Sequence, residues 1–593
     1  MTPVEKLSKL RALMHKQNLD FYYVPSSDAH QNEYVPDCWQ RRVWVSGFTG
    51  SAGDVLVGVD HAYLWTDGRY VLQAEKELDL TLFELMRQQQ GIAAPIDQWL
   101  GEQRKPLRVG VDPAVITISQ AKRMQSVLAE HGGELVAIAD NWIDSIWTDR
   151  PGLSHQPVML YPTEFSGQST QQKLAQLREA MQKQDVTAHV LNTLDAIAWL
   201  YNIRGQDVAY NPVVISYAVI TMTQAFLCVE LHKVSAADQV TLAAEGVTLV
   251  AYEEFFKVVQ LQKGLVWFDS AVAGWWMSTL LPAKQQLHMQ SPITLMKACK
   301  NSTEIKGSKI AHQRDGVALV NFIHWLENHW QEGVTEISVA EKLAQFRQQG
   351  KHYRGQSFTT IAGFADHGAI IHYHATEKTN RTVDDSSLFL LDSGGQYLEG
   401  TTDITRVFHL GTPTAKQKRD YTLVLKGHLA LRHAVFPEGV SGVHIDAFAR
   451  QFLWQYGLDY SHGTGHGVGA YLCVHEGPQR ISYGMIAAPL KAGMIVSNEP
   501  GVYLPGQYGI RIENLCVIEP AATAANSESG HGPFYTLSDL TLVPHNRKLI
   551  DLALLTAQEL QWVNEYHQQV LEVLAPDLSG EVLAWLKAAT AAL

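Results

Sequence analysis

Phe389-Leu390-Leu391-Asp392-Ser393-Gly394-Gly395 is followed closely by Thr401-Thr402-Asp403-Ile404-Thr405-Arg406. An apolar run ends on a carboxylate, glycine turns the chain, and a second carboxylate opens another apolar run eleven residues after the first. Leu388 to Leu391 and Ile404 to Leu410 have the composition of strands, and a hairpin between them would bring Asp392 and Asp403 together. Glu499 follows Ile495-Val496-Ser497-Asn498 and precedes the turn Pro500-Gly501. Glu513 stands inside Gly509-Ile510-Arg511-Ile512-Glu513-Asn514-Leu515, within a strand expected over Ile510 to Glu519. A carboxylate among apolar strand residues is costly unless it is paired or metal-bound. Each acid alone also fits a turn cap or a buried ion pair; four in one domain point to a metal cluster.

Between these acids lies His462-Gly463-Thr464-Gly465-His466-Gly467-Val468-Gly469. Alternating glycines argue against a helix, since each costs about 1 kcal/mol relative to alanine. The segment is expected to be a loop or irregular strand where backbone comes close to something else. The glycine spacing does not fit a dinucleotide-binding turn, and no H-E-x-x-H, G-x-S-x-G or phosphate-loop pattern occurs. Four carboxylates and one imidazole form a hard, oxygen-rich donor set, suited to Mn²⁺ more than to a structural zinc. Their charge balances two divalent ions, with a bridging hydroxide as the activated nucleophile.

Around this core the chain is long, at 593 residues, so two to four domains are expected. A formal net charge of -13, with acids and bases interspersed, argues against nucleic acid or an anionic membrane as the main partner. The start of the chain lacks an uninterrupted signal-peptide core, and Gly264 to Ala283 is too broken to span a bilayer. Five cysteines without paired spacing fit a reduced, cytoplasmic protein.

The N-terminal half carries a faint repeat. Leu10-Arg11, Met14, Lys16-Gln17 and Asp28-Ala29 recur as Leu177-Arg178, Met181, Lys183-Gln184 and Asp195-Ala196, each 167 positions on. In both copies an amphipathic helix precedes an apolar strand, Phe21 to Val24 or Ala188 to Leu191. Duplicated α/β domains are therefore expected at 1–150 and 151–297, followed by a mixed α+β catalytic domain at 298–593. Helices are expected near Glu304 to Glu327, Ala415 to Val435 and His444 to Tyr456. The tail from Ala557 to Leu593 is helical and rich in leucine and alanine, a packing element without a legible motif.

In their order, these segments resemble the pita-bread metallopeptidases, and among them the three-domain aminopeptidase P, or Xaa-Pro aminopeptidase, family. The resemblance also covers Ser46-Gly47-Phe48-Thr49-Gly50-Ser51-Ala52-Gly53, Trp65-Thr66-Asp67-Gly68-Arg69-Tyr70, Trp199-Leu200-Tyr201-Asn202-Ile203-Arg204-Gly205 and Ile370-Ile371-His372-Tyr373. It implies two creatinase-like α/β domains before a pita-bread catalytic domain. Asp392, Asp403, His466, Glu499 and Glu513 match the metal ligands, with Asp403 and Glu513 bridging two ions. Asp392 would serve one ion, and His466 and Glu499 the other. Mn²⁺ is the expected metal, with Zn²⁺ or Co²⁺ as alternatives. The resemblance gives catalytic roles to His372, His462, His475 and Glu499, the last as proton acceptor. It gives substrate contacts to Arg69, His372, His466, His475 and Arg511.

The implied activity is release of the first residue from peptides with proline second, by a homodimer. Arg69 also fits an ordinary hairpin turn after Asp67-Gly68. His372 and His374 alternate as on one strand face, and His462 could serve only to support the glycine loop. Trp275-Trp276 fits core or dimer contact better than a substrate stack. Prolidase-like dipeptide hydrolysis is the nearest alternative, and a metal-free binding module of the same fold is the alternative from another class.

Overall fold

A computed structural model describes residues 1–88, 94–484, 488–522 and 532–593. The chain forms two compact units, Met1–Thr294 and Leu295–Leu593.

The first unit contains the same design twice. Helix α1 (Pro3–Lys16) begins at Thr2, whose hydroxyl accepts the Glu5 N–H while the Glu5 carboxylate answers the Thr2 N–H. Helix α2 (Thr170–Lys183) begins with the equivalent exchange between Ser169 and Gln172. Leu7, Leu10 and Met14 are buried on α1, and Leu174, Leu177 and Met181 on α2, at the spacing that puts three side chains on one helical face. The offset of 167 positions seen between Leu10 and Leu177 holds for all of them.

Both helices lead into six-stranded sheets of identical layout. The first contains β1 (Phe21–Val24), β2 (Asp54–Gly58), β3 (Ala62–Thr66), β4 (Phe83–Arg87), β5 (Arg108–Val111) and β6 (Glu134–Ala137), in the order β4-β3-β2-β1-β5-β6. The second contains β7 (Ala188–Leu191), β8 (Ser216–Thr221), β9 (Ala225–Val229), β10 (Val247–Ala251), β11 (Val266–Phe268) and β12 (Gln286–His288), in the order β10-β9-β8-β7-β11-β12. In each, the first strand pairs antiparallel with the second and parallel with the fifth. The internal repeat is thus a duplication of topology. Trp276 packs edge-on to Tyr217 and Phe255 in the core of the second sheet, and Trp275 packs into the first core.

The second unit begins with helix α3 (Ser302–His329), capped by Asn301, and helix α4 (Glu336–Gln348). Their apolar faces, including Leu319, Phe322, Val339 and Leu343, cover a three-stranded antiparallel sheet. Its strands are β13 (Ile361–Phe364), β14 (Leu388–Ser393) and β15 (Ile404–His409). Helices α5 (Ala415–Arg432) and α6 (Gly442–Trp454) pack through Leu431, Ile445 and Ala449 onto a larger antiparallel sheet. That sheet has β16 (Val435–Pro437), β17 (Gly465–Gly467), β18 (Glu476–Ile481), β19 (Ile495–Asn498), β22 (Asn514–Pro520) and β23 (Phe534–Asp539), in the order β16-β23-β22-β19-β17-β18. A separate hairpin joins β20 (Gly501–Leu504) to β21 (Tyr508–Arg511). The tail forms α7 (Ala557–Leu574) and α8 (Gly580–Ala589), which close a core with Val320 and Leu542. Among the described residues no helix is long and apolar enough to cross a membrane.

Two sequence expectations change. His372 and His374 do not share a strand face; they follow a short 3₁₀ helix, Ala365–Ala369, in turn and irregular backbone. The strand expected from Ile510 to Glu519 is broken. The chain leaves the hairpin at Arg511 and joins the larger sheet at Asn514, so Ile512 and Glu513 belong to neither ladder. Apolar residues stand on both sides of the break with no glycine or proline between them, so composition alone joined the two strands.

Candidate metal centre

Each of the four acids sits where a strand stops or starts. On β14, Asp392 pairs across to Ile361 and Thr405, while Ser393 pairs with Ile404. That antiparallel register places Asp403, the residue before β15, at the same end of the ladder as Asp392. Glu499 lies between β19 and β20, its N–H donating to the Thr464 carbonyl at 2.8 Å. Glu513 occupies the strand break, where the Ile512 N–H finds the Pro500 carbonyl and the Glu513 N–H the Thr405 carbonyl, both at 3.2 Å. Because the break interrupts the pleat, the Glu513 side chain joins Asp403 and His466. One ligand atom from each of the three lies within 4.8 Å of the others.

His466 is in the middle of β17. Its N–H donates to Ser497 Oγ at 2.9 Å, and its Nδ1 meets the Gly467 carbonyl at 2.9 Å. Nε2 then faces Asp403 Oδ2 and Glu499 Oε1, each at 3.5 Å. The glycines explain the approach: a Cβ on Gly465 would stand 2.0 Å from the Ser497 carbonyl oxygen, and one on Gly467 2.4 Å from that of Glu476. The glycine-rich segment is therefore a strand pressed between neighbouring backbones, within the sequence expectation.

Electrostatics make this a site that calls for cations. Burial pushes the Asp392 carboxyl up to about 7, with Arg511 opposing and Asp403 adding to the rise. Burial also raises Glu499, and Glu513 goes well above the usual carboxylate range through burial and the adjoining Asp403, Glu499 and Asp392. For His466 burial pulls downward, but Asp403 and Glu499 outweigh it and push the imidazole up to about 9. Asp392 Oδ1 is buried with no hydrogen-bond partner. A cluster of like charges with an orphaned carboxylate oxygen is what hard divalent ions satisfy, releasing the protons held there. The residues present therefore fit such ions.

Arg511 and Tyr503 tie the cluster to its surroundings. Arg511 donates to Asp392 Oδ2 at 2.6 Å, to Thr405 Oγ1 at 3.1 Å and to the Tyr503 hydroxyl at 2.7 Å. The same hydroxyl meets His462 Nε2 at 2.8 Å. His475 sits over His466 with ring centroids 4.5 Å apart, nearly perpendicular. His372 is reached through the segment before it, since Arg511 Nη2 lies 3.5 Å from the Ile371 carbonyl. Arg69 belongs to the first unit and makes a two-point ion pair with Asp67 through Nε at 2.9 Å and Nη2 at 2.7 Å.

Several supporting residues escaped sequence analysis. Tyr503 carries no local signal, because its partners lie eight and forty-one positions away. Thr405 donates to Glu513 Oε2 at 2.8 Å. Arg450, on α6, is fully buried and donates to the Tyr460 and His462 carbonyls, each at 2.7 Å, while Asp446 holds its Nε at 2.7 Å. It thereby fixes the entry to the glycine-rich strand. Glu336, at the start of α4, accepts from the Phe364 N–H at 2.8 Å, the Arg381 N–H at 3.1 Å and the Tyr373 hydroxyl at 3.0 Å. That buried carboxylate fixes the segment carrying His372.

Known proteins resemble this chain along its length. Residues 306–520 match metallopeptidase family M24, and residues 533–593 match the C-terminal region of that peptidase family. Residues 6–146 and 149–304 each match the creatinase/prolidase N-terminal domain. A probable Xaa-Pro aminopeptidase P of Coccidioides posadasii is 41% identical, covering 99% of this chain and 98% of its own. The aminopeptidase P1 of Lotus japonicus is 40% identical, with 98% and 99% covered. The X-prolyl aminopeptidase of Caenorhabditis elegans, described as a cytosolic enzyme with a di-nuclear active site, superposes with a TM-score of 0.96. It is 35% identical and both chains are covered completely.

Proposed function

The chain belongs to metallopeptidase family M24, with the Xaa-Pro aminopeptidases P, and on that premise we propose how its residues divide the work. It is a metal-dependent aminopeptidase that releases the N-terminal residue from peptides with proline in second position. The buried group of Asp403, His466 and Glu513, with Glu499 and Asp392 adjoining, carries this reading. In it, Asp392, Asp403, His466, Glu499 and Glu513 hold two divalent ions, Mn²⁺ being the metal that suits the oxygen-rich set. When bound, such ions supply an activated water and polarisation of the scissile carbonyl.

The protein's own groups do the rest. Glu499 takes a proton from the attacking water as oxygen adds to the carbonyl carbon. It delivers that proton to the proline nitrogen as the C–N bond breaks, since a secondary amine cannot leave as its anion at neutral pH. His475 and His372 donate to the oxyanion, where one lost donor costs about 3 kcal/mol, roughly a hundredfold in rate. Arg511 favours the ionised form of Asp392 and orients it, and His462 is held by Tyr503 to face the substrate. Arg69 is carried over from the family resemblance as a further substrate contact. Domain boundaries at 1–150, 151–297 and 298–593, a homodimeric assembly and a cytoplasmic location complete the proposal.

The experiment is hydrolysis of an Xaa-Pro-Pro tripeptide and an Xaa-Pro dipeptide, after EDTA treatment and after Mn²⁺ is restored. Mn²⁺-dependent release of the first residue from the tripeptide, with little dipeptide turnover, is expected. Dipeptide turnover alone would move the assignment to prolidase, and no turnover with any divalent metal would leave a binding module.

A further inference from the structure

The C-terminal helices look like packing alone in the sequence, yet α7 sends two polar side chains into the base of the catalytic unit. We propose that Tyr566 is a positioning residue for Glu513, acting through Arg406. The inference rests on the reading of Glu513 as a metal ligand.

Glu513 lies in a break between two ladders, so its carbonyl has no strand partner. Arg406 supplies one: Nη1 donates to the Glu513 carbonyl at 2.7 Å and Nη2 to Asn514 Oδ1 at 2.8 Å. Arg406 thus bridges the point where the chain passes from hairpin to sheet. It is 3% exposed, and every acceptor it reaches among the described residues is a neutral carbonyl, amide or hydroxyl oxygen. A buried guanidinium without a carboxylate depends on each of those dipoles, because a lost acceptor is not replaced by water.

Tyr566 provides one of them. Its hydroxyl accepts from Arg406 Nη2 at 3.0 Å and lies 2.9 Å from the Val543 carbonyl, to which Arg406 Nη2 also donates at 2.7 Å. The phenol therefore fixes both the cation and the segment after β23 on which it rests. The residue beside it repeats the contact on a second path. His567 Nε2 accepts the His545 N–H at 3.1 Å, and the His545 ring stands 5.6 Å from that of His428. His428 exchanges two hydrogen bonds with Asn498, the residue before Glu499: Nδ1 with the Asn498 carbonyl at 3.0 Å, and the Asn498 amide with the His428 carbonyl at 2.9 Å. One turn of α7 thus abuts the supports of two proposed ligands.

Tyr566→Phe removes one oxygen and keeps the ring that packs with Val570 and Leu574. Groups that hold a metal ligand in place are worth roughly 10- to 100-fold in metal affinity, and Tyr566→Phe should raise the Mn²⁺ Kd about tenfold. It should also lower kcat with KM nearly unchanged. The measurement is calorimetric titration of the full chain with Mn²⁺ alone, after EDTA treatment, beside Val570→Ala and Glu513→Gln. Val570→Ala, which disturbs only the packing of the same helix, should lower Tm without changing the Kd. If wild type and Glu513→Gln bind Mn²⁺ alike, the metal-centre reading falls and the inference with it. If Glu513→Gln loses Mn²⁺ while Tyr566→Phe binds as wild type does, the inference alone falls. Equal weakening in Tyr566→Phe and Val570→Ala would mean general loosening and would also overturn it.

Discussion

Tyr503 shows how a single hydroxyl organises the centre. It receives a hydrogen bond from Arg511 Nη1 and faces His462 Nε2, linking an arginine held by Asp392 to a histidine of the glycine-rich segment. Tyr503→Phe leaves that buried guanidinium short of an acceptor. Steady-state kinetics should show kcat/KM reduced about tenfold, equivalent to ~1.4 kcal/mol, with circular dichroism unchanged. Activity equal to wild type would show that the hydroxyl is dispensable. The residues that sequence exposed are those whose own neighbours were anomalous. Asp392 and Glu513 stood out as charges in apolar runs, and His466 as an imidazole among glycines. Tyr503, Thr405 and Arg450 sit in ordinary surroundings along the chain and gain meaning only from partners elsewhere in the fold.

At the scale of elements, strand β17 is set by what its glycines allow. The Ser497 carbonyl would lie 2.0 Å from a Cβ on Gly465, and it is backbone that cannot swing aside. Gly465→Ala should therefore destabilise the second unit by about 2–3 kcal/mol and displace His466, so that denaturant midpoint and activity fall together. Gly152→Ala, where nothing stands within 4 Å of the added carbon, should leave both unchanged. Tolerance of Gly465→Ala would contradict the close approach. The glycine pattern announced this crowding correctly. The opposite case is the stretch from Ile510 to Glu519, where apolar residues on both sides and the lack of a glycine or proline hid the break that frees Glu513. Side-chain pattern reports which face is buried, whereas the switch from the β21 ladder to the β22 ladder depends on which strands arrive alongside.

For the whole molecule, the base of the second unit makes stability depend on pH. Burial first, aided by the nearby Arg406 cation, holds His428 and His567 down to about 4 and His545 well below its ordinary value. Unfolded imidazoles titrate near 6.5, so below that pH the unfolded chain binds protons that the folded chain refuses. Stability present above about 6.5 is then lost as pH falls toward about 4, at ~1.4 kcal/mol per unit for each imidazole. Urea midpoints of wild type and His567→Gln compared from pH 7 to pH 5 should diverge, the variant being spared one imidazole's share of the loss. A slope unchanged by that substitution would count against the assignment.

The sequence by itself determined what is local or repeated. The capping exchanges at Thr2 and Ser169, the apolar faces spaced 167 positions apart, the glycines of the His466 segment and the acids at strand ends are each fixed by residues within a few positions. Backbone sterics and helix and strand periodicity act over that range, so they can be recognised in one dimension. Only the tertiary structure decided which carboxylates meet, that Arg511 reaches Asp392 across 119 positions, and that Tyr566 reaches Arg406 across 160. Those contacts join ladders whose register is settled by packing the whole sheet, and a buried charge has no preferred partner until that packing excludes water from around it.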